Sequence, residues 1–134
     1  MGAWGTGVFQ SDEALDFVNE VVDGIDLSTI ETAVDRVLQV KQEYLDSPEA
    51  EQALASAAIL ALLKHRDAQV GDGTPELNEW IARVKIVPAE DLLEKARKAV
   101  ERILTDPSEL LELWKDSENF DNWKASTERL AAQL

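Results

Sequence analysis

The sequence predicts an all-α fold, a compact single-domain bundle of about six or seven helices around a central helix at about 48–66. Three observations carry that reading. The run Ala53-Leu-Ala-Ser-Ala-Ala-Ile-Leu-Ala-Leu-Leu63 holds a single polar side chain, Ser56. It is too short to span a bilayer, which takes about 20 apolar residues, and too long and too rich in Ala and Leu for a buried strand. A helix that is apolar all round must be covered on every side. Helix-start signals then recur along the chain, at Ser28-Thr-Ile-Glu31, Ser47-Pro48-Glu49, Thr74-Pro75-Glu76 and Asp106-Pro-Ser-Glu109. Finally, the one β-like run, Val84-Lys-Ile-Val-Pro88, is too isolated to build a sheet and reads as an extended connector. At 134 residues the chain suits one domain, 1–134, with one substantial core.

The elements follow in order. Residues 1–10 form an arm of glycines and aromatics, with Trp4 and Phe9 expected to fold back and plug an end of the bundle. The alternative is a glycine loop presenting amides to an anion. The spacing of Gly2, Gly5 and Gly7 is not that of a Walker loop. Asp12, Glu13 and Asp16 already occupy the positive end of the next helix, which disfavours phosphate there. Ser11 is the expected cap of a first helix, 12–23, with Ala14, Phe17, Val18 and Val21 on one face and Gly24 at its end.

A second helix is expected from the capping box at Ser28 to about Asp46, with Ile30, Val34, Val37, Leu38 and Leu45 inward. Ser47-Pro48-Glu49 opens the central helix, where Ala53, Ala57 and Ala61 at i, i+4, i+8 make a smooth ridge for close helix approach. Lys64, His65 and Arg66 suit its C-terminal dipole. Gln69-Val-Gly-Asp-Gly-Thr-Pro75 is a loop. Helices over 75–83, 89–104 and 109–114 follow. The last helix carries Phe120, Trp123, Leu130 and Leu134 as a closing stripe. The outer face of 89–104 mixes Lys95, Arg97, Lys98 and Arg102 with acids and reads as a solvated face.

Charge narrows the function. There are 27 acids against 13 bases, a formal net charge of −14. The sequence before Arg36 holds eight acids and neither Lys nor Arg. Such a surface repels nucleic-acid phosphate and anionic membrane. It favours basic partners or cations, or serves solubility alone. With no Cys there is no disulfide framework, thiolate nucleophile or Cys-based metal site. The sole His, His65, makes neither a His-rich zinc site nor a triad, since no Gly-x-Ser-x-Gly elbow accompanies it. Asp72 lacks the series of a calcium loop. Asp12 and Asp16 share a helix face and could hold a hard cation weakly or work as an acid–base pair, but such pairs are common among many acids. Trp4, Trp80, Trp114 and Trp123 read as core or interface anchors, not as base-stacking platforms, because the chain is acidic. No secretory signal or membrane span is evident, so a cytoplasmic location is the default. No cofactor or catalytic residue is assigned.

The opening Gly2-Ala-Trp-Gly-Thr-Gly-Val-Phe9, followed by Ser11-Asp-Glu-Ala-Leu-Asp-Phe17, resembles the signature of a bacterial family known as domain of unknown function 4259. The Ala-rich central helix and the tail from Ser108 to Trp123 resemble it as well, so the likeness covers nearly the whole chain. Gln10 and Ser11 stand where the family pattern has an Asn and Asp pair. The resemblance implies a small bacterial soluble protein and brings no established activity, cofactor or catalytic residue. If the signature marks a shared surface, that surface comprises Trp4, Gly5, Gly7, Phe9, Asp12, Asp16 and Phe17; folding is the competing reason for the motif. The leading expectation is an immunity-like or adaptor module binding a basic protein partner. The alternatives are a small-ligand or divalent-cation domain or enzyme near the N-terminal arm, and a homo-oligomer formed through apolar surface around Trp80 or the C-terminal helix.

Overall fold

The computed structural model describes residues 12–65 and 75–134. Its elements are α1 (Asp12–Val22), α2 (Ser28–Val40), α3 (Ser47–Lys64), α4 (Pro75–Val84), α5 (Glu90–Ile103), α6 (Glu109–Lys115) and α7 (Phe120–Ala132). The fold is an all-α bundle of seven helices with no strand among the described residues. The expectations for Trp4, Gly5, Gly7, Phe9, the Ser11 cap, Arg66 and the 69–74 loop fall outside the described residues.

The central run behaves as its composition requires. Every residue from Ala53 to Leu63 is buried, including the ridge Ala53, Ala57 and Ala61. The hydroxyl of Ser56 donates to the main-chain oxygen of Gln52 at 2.9 Å, which satisfies it within its own helix. Around α3 pack α1, α2, α5, α6 and α7. The Ala14, Phe17, Val18 and Val21 face of α1 and the Ile30, Ala33, Val34 and Val37 face of α2 are both buried. The tail closes the bundle: Trp123, Leu130 and Leu134 are buried, and Trp123 stacks on Trp114 with centroids 5.6 Å apart and rings 7° from parallel. At the C-terminal end of α3, Lys64 Nζ lies 2.7 Å from the main-chain oxygen of Leu134 and His65 Nε2 lies 2.9 Å from that of Gln133.

Four local expectations are corrected. α2 ends at Val40, not near Asp46, because Lys41 turns the chain with φ 57°. Leu45 is buried all the same, through a parallel bridge to Ser108. The Ser28 capping box does not form; instead Asp26 Oδ1 accepts from Ser28 N at 3.1 Å and from Ser28 Oγ at 2.8 Å. Ser47 is the first residue of α3 and not its cap, and its N–H donates to Glu109 Oε1, 2.7 Å away and 62 residues on. Asp106 precedes a cis bond to Pro107, and the cap of α6 is Ser108, whose Oγ accepts from Leu111 N.

Trp80 is fully buried, and its indole N–H donates to the Gly24 main-chain oxygen at 2.8 Å. It therefore offers no apolar surface for self-association. Residues 85–89 form a connector with no regular structure where the sequence predicts an extended run over 84–88; Val84 is the last residue of α4, and Lys85 turns the chain with φ 53°.

Candidate functional site

The residues singled out on α1 divide between its two sides. Asp12 and Asp16 are exposed, and Glu20 continues the series one turn on and is exposed too. Residues at i, i+4 and i+8 lie on one helix face, so the three carboxylates form a single stripe. Phe17 is buried with 3% exposure and turns to the core side. It does not share a face with the two aspartates. Instead it lines a groove of about 260 Å³, together with Glu20 of α1, Ser28, Thr29, Thr32, Ala33 and Arg36 of α2, and Gln52 of α3.

The hairpin geometry explains that groove. α1 and α2 both pack on α3. Thr29, Thr32, Ala33 and Arg36 recur at helical spacing along one edge of α2, facing Phe17 and Glu20 across the cleft. Gln52 bridges the far end: its Nε2 donates to Glu13 Oε2 at 3.0 Å, and its Oε1 accepts from Arg36 Nη1 at 3.4 Å. An amide suits that position, since it presents an acceptor to the guanidinium and a donor to the carboxylate. Glu13 is thereby tied down, whereas Asp12, Asp16 and Glu20 are exposed, Glu20 at the edge of the groove.

The ion pairs among the described residues are Lys95 with Asp35, at 2.9 Å, and Lys115 with Asp106, at 3.3 Å. Neither involves α1. The first joins α5 to α2, and Asp35, through its hydrogen bond and then its charge, holds the Lys95 ammonium above its ordinary value. No group of three or more His, Cys, Asp or Glu side chains suited to a metal ion occurs among the described residues. No helix of the described residues is long and apolar enough to cross a membrane.

Sequence reasoning missed Glu20, Arg36 and Gln52 as partners of this region. Glu20 was legible, since it extends the Asp12–Asp16 spacing by another four residues. Gln52 had no local signal, because its contacts to Glu13 and Arg36 span 39 and 16 residues.

The family model described as Domain of unknown function (DUF4259) matches residues 2–126. That stretch runs from the Gly and Trp arm through the first half of α7. Neither the curated proteins nor the solved structures give a match.

Proposed function

This chain belongs to the DUF4259 family, and we propose that it is a protein-interaction domain whose α1 face docks a basic protein partner, in an immunity-type or adaptor role. The observation that carries the reading is the stripe of Asp12, Asp16 and Glu20, exposed and in no ion pair among the described residues. Like charges four apart on a helix cost roughly 0.2–0.5 kcal/mol per pair. α1 also has no base in its last turn, so Glu20 sits against the negative end of its dipole. Both penalties are relieved when cations cover the stripe. A net charge of −14 speeds the approach of such a partner and discourages nucleic acid.

The test is retention from a native host extract on the immobilised chain, compared with a variant carrying Asp12→Asn, Asp16→Asn and Glu20→Gln. The wild type retains a stoichiometric basic protein at low salt and releases it at high salt. The variant retains it weakly although it melts no lower. Absence of any such protein at either salt, or equal retention by the variant, would contradict the proposal.

The groove supports a second reading, a small polar ligand held between Glu20 and Arg36. Binding to the native state must raise the melting temperature. Screening metabolite pools and divalent cations by thermal melting tests it, and no shift with any of them removes it.

A further inference from the structure

The large hydrophobic side chains exposed among the described residues are Ile25, Tyr44, Val87 and Leu113. Ile25 lies in the turn between α1 and α2, and Val87 in the connector before α5. Tyr44, 50% exposed, belongs instead to the junction where the chain entering α3 pairs with the chain entering α6, and Leu113, 57% exposed, lies on α6 five residues past that pairing.

That junction is held from several directions. Leu45 N donates to Pro107 O at 3.2 Å, and Glu109 N donates to Leu45 O at 2.9 Å. Arg102 donates to the main-chain oxygens of Lys41, Glu43, Thr105 and Pro107. The residues on both sides of Tyr44 are thus fixed, and its ring stands on backbone that a partner need not order.

Its surroundings are acidic. Partial desolvation, then the charges of Glu112 and Glu109, a hydrogen bond with Glu112 and the charge of Asp46 raise the Tyr44 phenol above its ordinary value. Leu113 follows Glu112 and lies one turn beyond Glu109 on α6. Arg102 of α5 is engaged by the four carbonyls, and Lys115 of α6 by Asp106.

We propose that Tyr44 and Leu113, rimmed by Asp46, Glu109 and Glu112, form a docking surface for an arginine-bearing segment of a basic protein. The inference rests on the reading of the domain as a binder of basic protein and adds a second contact surface to α1. Arginine fits better than lysine. A planar guanidinium stacks on the tyrosine ring while its N–H groups reach the carboxylates. The aliphatic stem of the arginine lies against Leu113.

The test titrates the full chain with an oligo-arginine peptide and with an oligo-lysine peptide of equal length, followed residue by residue by heteronuclear NMR at low salt. The arginine peptide moves the resonances of Tyr44, Glu112 and Leu113 at lower concentration than the lysine peptide does. Tyr44→Ala weakens arginine-peptide binding by about two- to fivefold, and Leu113→Ser weakens it in the same direction, with melting temperatures unchanged. Resonance shifts confined to Asp12, Asp16 and Glu20, with Tyr44→Ala and Leu113→Ser without effect, overturn this surface and leave the basic-partner reading standing. Equal binding of the two peptides, insensitive to both variants, overturns it in favour of charge attraction alone. No shift anywhere with either peptide overturns both readings.

Discussion

Arg102 Nε donates to the main-chain oxygen of Lys41 at 2.6 Å, holding in place a non-glycine residue whose φ is 57°. The same guanidinium reaches Glu43 O at 2.6 Å, Thr105 O at 2.7 Å and Pro107 O at 3.0 Å. One side chain on α5 thus joins the segment leaving α2 to the segment entering α6. Arg102→Ala is expected to destabilise by about 2–3 kcal/mol, since hydrogen bonds from a charged donor contribute roughly 1.5–3 kcal/mol and these share one partly exposed group. Arg102→Lys restores little, because an ammonium lacks the planar fork. Lys41→Gly is expected to raise stability by about 1 kcal/mol by relieving the backbone. Urea denaturation checks all three, and an Arg102→Ala midpoint equal to the wild type would refute the bridging role.

Trp80→Phe keeps most of the buried volume and deletes the indole N–H that reaches Gly24 O. It is expected to cost about 1–3 kcal/mol, chiefly from the carbonyl left without its donor. A calorimetric melt measures it. Because α4 packs on α1, loosening there should also speed amide exchange at the end of α1.

Asp26 is held below its ordinary value of 3.8 by the Ser28 hydroxyl and then by the Ser28 N–H. A carboxyl lowered on folding adds stability that is complete above its unfolded value and fades as pH falls through the folded one. The stability gap between wild type and Asp26→Ala should therefore be constant at neutral and mildly acidic pH and shrink below 3.8. A gap that stays the same down through that range would show that the carboxylate charge is not what makes the Ser28 hydrogen bonds stabilising.

Ala57 is fully buried on the ridge of α3. Ala57→Leu forces extra methylenes against a packed neighbour and should cost about 1–3 kcal/mol. An unchanged melting temperature would mean that the ridge faces open space.

The bundle was legible in the sequence because its strongest signals are local. The run from Ala53 to Leu63 has no polar face to leave in water, and the inner stripes of α1 and α2 recur at helical spacing. The ends of elements were harder. Leu45 continues the apolar spacing of α2, so nothing local separates a helix to Asp46 from a break at Lys41; its burial comes from pairing with Ser108, 63 residues further along. Glu109 reads as an acid in the first turn of its own helix, yet it also binds the N–H that opens α3. Arg102 reads as one charge on a solvated face, and its partners at Lys41 and Glu43 lie 61 and 59 residues away. On α1 the acid stripe was legible from spacing alone, whereas the groove beside it required Arg36 and Gln52 to meet through tertiary packing.

Five of the other six helices pack on α3, and native-state hydrogen exchange tests its central place most directly. The amides from Ala53 to Leu63, enclosed by five other helices, should exchange slowest of all and only through global unfolding, at the free energy found by denaturant titration. Exchange there as fast as in α4, or at a free energy well below the global value, would contradict the account.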